Sequence, residues 1–225
     1  MHCGCTPAER RGPPDKKLNK STMKTYDSMS IREFLDLYDV CSEASEFASM
    51  FSTLHGAWNA CDRVDWLVWT HEYVVPADRG SLRLYGCWCI RQTPLADGRK
   101  VWDLLSTESR TAVEVTERFA VGAATSEEHS AAEEAAISAH IDAVYSFPWA
   151  VEGAAEAVRA IANHSAGAGV LYSALAAARY GGARLEVSRY GGSRLASFRV
   201  AQTFQLAEFR QRFGNPFKKQ KTQKQ

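Results

Sequence analysis

The apolar positions of this chain recur at helical spacing almost from end to end. Ile31, Phe34, Leu35 and Tyr38 fall at i, i+3, i+4 and i+7, the spacing of one buried face, and Ser30 with Glu33 reads as the capping box that satisfies the first free amides. A second helix is expected on Phe47, Met50, Phe51 and Leu54, with His55-Gly56 as its stop. Ala57 to Cys61 leads to a polar turn at Asp62-Arg63. Asp65 reads as the N-cap of an element carrying Trp66, Leu67, Val68, Trp69 and Tyr73, which Pro76 and Gly80 close.

The next helix is expected over about 81–92 and carries Leu84, Tyr85, Trp88 and Cys89, until Pro94 and Asp97-Gly98 break it. Leu104-Leu105 lead into a helix over 109–119 that Gly122 ends, and Thr125 with Glu128 repeats the capping-box signature. Pro148 separates a helix over about 126–145 from one starting near Trp149. Helix after helix with short connections predicts an all-α bundle. Five of the six tryptophans lie between residues 58 and 102, which places the expected main core there. Alanine supplies 18 of the 50 residues in 131–180, so the helices there must pack closely for want of side-chain volume.

From Ala166 the chain falls into fives, with Val170, Leu175, Tyr180, Leu185, Tyr190, Leu195 and Val200 in the fifth place. Arg179, Arg184, Arg189, Arg194 and Arg199 stand directly before the last five of these. A step of five on an α-helix advances about 140° beyond a full turn, which scatters the arginines round the cylinder. The alternative is a short pentapeptide β-helix, with Ala168, Ser173, Ala178, Ala183, Ser188 and Ser193 as its small residues. Seven repeats are too few coils to bury a core without strong caps, and the alanine-rich lead-in favours helix. The expected architecture is therefore an all-α helical bundle with an Ala-rich, pentad-periodic C-terminal helical region.

Segment by segment, 1–28 lacks apolar periodicity, carries Pro13-Pro14 and is expected to be a disordered extension. A Trp-rich helical core follows over 29–122, then the Ala-rich and pentad region over 123–214, and a basic tail over 215–225 expected to be disordered. Met1, Met23 and Met29 are all possible starts. The oligomeric state is open.

Composition narrows the classes. The chain has 225 residues, 45% of them hydrophobic, and six cysteines, too few for a disulfide scaffold at this length. No stretch reaches the length of a membrane span and the start lacks a signal peptide's apolar core, so a cytoplasmic protein without a membrane partner is expected. The net charge of +1 conceals opposed blocks: residues 101–163 hold eleven acidic and three basic side chains, net −8, and residues 164–225 hold two and eleven, net +9. Such asymmetry marks either a partner surface or two blocks that neutralise each other.

Signs of catalysis are absent from the sequence. His71-Glu72 opens like a zinc-protease helix, but position 75 is Val where the second histidine must stand. Cys87 and Cys89 are two apart, so on a helix they point about 200° from each other and read as buried thiols, not as a ligand pair. His2, Cys3 and Cys5 suggest adventitious metal contact only. Gly167-Ala168-Gly169 lacks the later residues of a phosphate loop, and no G-x-S-x-G occurs. Glu127-Glu128 and Glu133-Glu134 suit an exposed helix start. No enzyme activity, cofactor or metal is expected.

Two stretches carry a family likeness. Ala57-Trp58, Cys61, Arg63 and Asp65-Trp66-Leu67-Val68-Trp69 resemble an AWxxCxRxDWLLW segment, and residues 82–92 are similar to the helix that follows it. Residues 109–119 with Gly122 and Ala124 to Glu128 resemble an SRxAVEVAERYxxGEATEEE segment. Both segments are those of a family of bacterial and phage immunity proteins, the immunity-5-like group, and the likeness spans roughly residues 31–213. Gly-Gly pairs and arginines stand where that family has alanines in the C-terminal half. The resemblance implies a helical, non-enzymatic protein that protects its producer by binding a toxin, and it implies no catalytic residues.

Three functions follow for comparison. The first is a toxin-neutralising binding protein; the second is a phage-encoded inhibitor of a host nuclease defence, with the acidic 101–163 region mimicking nucleic acid; the third is a nucleic-acid binder using the basic C-terminal region. Arg63 and Asp65 read as a structural turn and cap. Arg179, Arg184, Arg189, Arg194 and Arg199 are the candidate partner-binding residues.

Overall fold

Among the described residues, ten α-helices follow one another and no strand forms. The computed structural model describes residues 26, 29–38, 40–145, 149–163, 166–184 and 192–217. The helices are α1 (Ile31–Tyr38), α2 (Ser42–Ser49), α3 (Leu54–Ala60), α4 (Val64–Val74), α5 (Arg79–Gln92), α6 (Thr107–Ala120), α7 (Ser126–Val144), α8 (Trp149–Ala162), α9 (Ala166–Arg184) and α10 (Gly192–Phe213). The all-α bundle is thus as the periodicity predicts. The pentads within 166–184 and 192–200 are helical, while those in 185–191 lie outside the described residues. So do the expected N-terminal extension, apart from Tyr26, and the tail beyond Phe217.

The chain forms two compact units, Met1–Cys61 with Phe213–Gln225, and Asp62–Arg212. These boundaries fall at 61 and 212, whereas the texture of the sequence changes near 122.

In the first unit α1 forms as its spacing and cap predict. Ser30 Oγ accepts from the Glu33 amide at 3.2 Å, and the Glu33 carboxylate accepts from the Ser30 amide at 2.9 Å. Ile31, Phe34 and Tyr38 are buried. The aromatic cluster they start is completed from the other end of the chain. Phe217 meets Phe34 at 6.0 Å, Trp58 at 5.8 Å and Tyr26 at 6.3 Å, each edge to face. Asn215 fastens this segment by donating to Asn59 Oδ1 at 2.8 Å.

The expected helix on Phe47, Met50, Phe51 and Leu54 does not form as one piece. The backbone breaks after Ser49, Met50 is exposed, and Thr53 caps a new helix by accepting from the Gly56 amide at 3.0 Å. His55-Gly56 therefore lies in the first turn of α3 and stops nothing. A threonine hydroxyl placed three residues before an amide outweighs a continuous apolar spacing here.

Two further expectations in the second unit are corrected. Asp65 is not the cap of α4, which begins at Val64; it is fully buried one residue inside, and Arg63 binds its two oxygens at 2.9 Å each. Gly80 does not close an element but lies in the first turn of α5. A β-carbon on Gly80 would stand 2.9 Å from the Ala120 carbonyl oxygen, so the glycine lets the start of α5 approach the end of α6.

The stretch 58–102 does supply much of the core, Val64, Val68, Tyr85, Ile90 and Val101 among it, but the core extends beyond it and is not built on its tryptophans. Trp58 alone of the five is buried, and Trp66, Trp69, Trp88 and Trp102 are half-buried at the margins. Cys87, Ile90, Val101, Val113, Val158 and Ile161 instead share a core with a bed of alanines from α7, α8, α9 and α10. Small residues let α8 and α9 pack closely, since a β-carbon at Gly153 would lie 3.2 Å from Ala176 Cα and one at Gly169 would overlap Ile161 Cγ2. Arg91 braces the outside of this core: it grips Glu117 at 2.7 and 2.8 Å and lies 3.9 Å over the Trp102 ring.

Candidate functional site

Of the five candidate arginines, only Arg199 has its side chain within the described residues. Arg179 and Arg184 lie on α9, Arg194 and Arg199 on α10, and Arg189 lies outside the described residues. Arg199 is exposed on the α10 surface. The aromatic and cationic surface of α10 is partly self-satisfied: Phe204 stacks on Trp88 at 5.2 Å, and Arg212, 5.1 Å over Trp88, spends its charge on Glu208 at 2.7 Å.

Groups with reactive chemistry in the second unit are committed to packing. Cys87 and Cys89 are fully buried free thiols on α5, and burial pushes both well above the ordinary thiol range. His71 is buried with Nε2 2.8 Å from the Asp78 carboxylate. Burial raises Glu72 above the usual carboxylate range, against the opposing pull of Arg79 and Arg83. No group of three or more metal-ligating side chains occurs among the described residues.

Sequence reasoning missed a buried polar chain that joins α10 to the rest of its unit. Gln205 Nε2 donates to Thr93 Oγ1 at 2.9 Å and to Ser173 Oγ at 2.8 Å, and the Tyr85 hydroxyl donates to the Gln205 carbonyl at 2.7 Å. Gln202 approaches Asp65 at 3.4 Å. The available signal was two glutamines, at 202 and 205, in register with buried Ala201 and Phe209 on one helix face.

The second omission lies on α7. This helix packs through His129, Ala132, Ala136 and Ala143, and Thr125 with Glu128 closes its capping box at 2.8 and 3.2 Å. Its other side leaves Ile137 37%, Ile141 52%, Val144 48% and Tyr145 87% exposed. Steps of four, three and one put these four side chains on one stripe. Glu133 and Glu134 lie one turn toward the N-terminus of Ile137, and neither makes an ion pair among the described residues. The helix has five acidic residues and no lysine or arginine. Helix-start hydrogen bonds, from the backbone first and then from Thr125, lower the Glu127 carboxyl below its ordinary range. The overlooked signal was the isoleucine and valine spacing inside an alanine-rich helix.

The α7 surface is thus apolar toward its C-terminal end and anionic toward its N-terminal end. Comparison of the chain with protein-family models, with curated proteins and with solved structures finds no match to any of them.

Proposed function

We propose that the chain is a non-enzymatic binding protein of the immunity type, which neutralises a toxin by associating with it. The observation that carries this reading is the exposed stripe Ile137, Ile141, Val144 and Tyr145 beside Glu133 and Glu134, which make no ion pair among the described residues. An apolar strip gives affinity when it is covered, and a one-signed field speeds the encounter with a partner of opposite sign. Cys87, Cys89 and His71 are committed to packing, which is compatible with a binding role. The resemblance of the Trp-rich and Val-Glu-Val segments to immunity proteins points the same way.

The test is co-expression with the product of the adjacent gene in a sensitive host. Restored growth with a one-to-one complex on purification is the expected result. Unrelieved toxicity, or no complex with any neighbouring product, overturns the reading. A phage-encoded inhibitor of a nuclease defence is the second reading, favoured by the run of carboxylates on α7 as a stand-in for phosphates. It requires that the chain raise plaque counts on a host carrying such a defence.

A further inference from the structure

We infer that α7 is the docking seam and that its occupant is a cationic amphipathic helix of the partner, lying along Glu133 to Tyr145. The inference deepens the binding-protein reading and rests on it. The spacing of Ile137, Ile141 and Val144 is the alternation of four and three residues that a second helix matches knob by knob. The seam from Glu134 to Tyr145 is about 18 Å long at 1.5 Å per residue, enough for roughly three turns of a partner.

Charge selects the occupant. Glu133 and Glu134 flank the turn that leads into Ile137 and have no cation beside them among the described residues. The α7 of a second copy supplies none, since this helix has no lysine or arginine. Paired parallel, two α7 helices set these glutamates against their own images; paired antiparallel, they press them on Val144 and Tyr145. Either arrangement takes carboxylates out of water without compensation. A helix carrying Lys or Arg beside an apolar stripe pairs both glutamates while it covers Ile137, Ile141 and Val144. Asp142, on another side of the same helix, and Glu128, held by Arg118 at 3.6 Å, add to the field without lying on the stripe.

The probes are two synthetic helical peptides with the same leucine seam, one flanked by lysines and one by glutamates, titrated calorimetrically into the full chain. Saturable binding of the lysine peptide is expected, weakening with added salt, with no detectable binding of the glutamate peptide. Ile141→Ser, and separately Glu133→Lys with Glu134→Lys, should each reduce the affinity at least tenfold. Equal binding of both peptides, no saturable binding, or unchanged affinity in the variants overturns the proposal. Because Ile137 and Ile141 are exposed, their replacement by serine should leave the melting temperature unchanged; a large fall means that the chain itself covers the stripe and refutes the inference. So does a dimer in light scattering that Ile141→Ser dissolves. Protection against a toxin that survives these variants refutes the seam but not the function, whereas peptide binding without protection does the reverse.

Discussion

The γ2 methyl of Ile161 sits against Gly169 so closely that any β-carbon there would overlap it, and Gly86 faces the same methyl from α5, where a β-carbon would be 2.8 Å away. One fully buried methyl group therefore fixes the approach of α5, α8 and α9. Ile161 has little freedom to turn aside, because a β-branched side chain in a helix is held to one preferred χ1 rotamer and this one is fully buried.

Gly169→Ala is accordingly a stability test with two opposed terms. Alanine favours helix over glycine by about 1 kcal/mol, while forcing a methyl into a filled core costs about 1–3 kcal/mol. The overlap with an immobile side chain makes packing win, and urea unfolding should show a loss of about 1–2 kcal/mol. In an Ile161→Ala background the same substitution should cost little or become favourable. Full cost in that background would show that Ile161 is not the obstacle.

Arg63 and Asp65 give a second prediction. The aspartate side chain is fully buried and the arginine 16% exposed, so the carboxylate depends on this guanidinium for charge compensation. Arg63→Ala should destabilise the fold by about 3 kcal/mol, the range for breaking a buried pair from one side. Adding Asp65→Ala should recover part of the loss. A change under about 1 kcal/mol in the single variant would place the pair with ordinary surface bridges.

Gln205→Glu replaces a buried donor with a carboxyl facing the Thr93 and Ser173 hydroxyls and the Val170 carbonyl. The charged form is desolvated, so the folded-state pKa rises above the unfolded value. Stability is then retained at low pH and lost as pH rises from the unfolded carboxyl value to the raised folded one. If the folded carboxyl titrates near neutral pH, the variant is roughly 3 kcal/mol weaker at pH 7 than at pH 4, relative to the parent. Parallel pH profiles for the two proteins would contradict the burial of this network.

The thiols of α5 predict an alkaline limit. Burial raises Cys87 and Cys89 above their ordinary value of 9.0, so in the fold both stay protonated where the unfolded chain has begun to ionise. The unfolded state then binds fewer protons, and stability falls as pH climbs above 9, by up to about 1.4 kcal/mol per pH unit for each thiol. Urea melts between pH 8.5 and 10.5 measure the slope. At pH 8, peptide mapping after a thiol reagent should find Cys87 and Cys89 unmodified until the chain is unfolded.

Much of the helical order was legible because its signals are local. Both capping boxes, at Ser30 with Glu33 and at Thr125 with Glu128, close as the spacing of hydroxyl and carboxylate requires. The misread positions are those whose role is set by distant residues. Gly80 looks like a terminator until Ala120 is beside it, and Asp65 looks like a cap until burial shows it as half of an ion pair. The core was drawn too narrowly for the same reason: a tryptophan advertises burial more loudly than an alanine, yet alanines decide which helices approach closely. Of the candidate site, the acidic character of the middle was visible, but its apolar stripe was diluted by the alanines around it.

The seating of Phe217 among Tyr26, Phe34 and Trp58 has a consequence for the timing of folding. The second unit, Asp62–Arg212, is continuous in the chain, so all of it has been synthesised before Phe217 is added. The aromatic cluster begun by α1 can close only afterwards, once Phe217 itself has left the ribosome. Tyr26, Phe34 and Trp58 are thus made before the second unit but finished after it. During that wait Phe34 and Trp58 stay uncovered on the Phe217 side, and a chain halted short of residue 217 keeps them so.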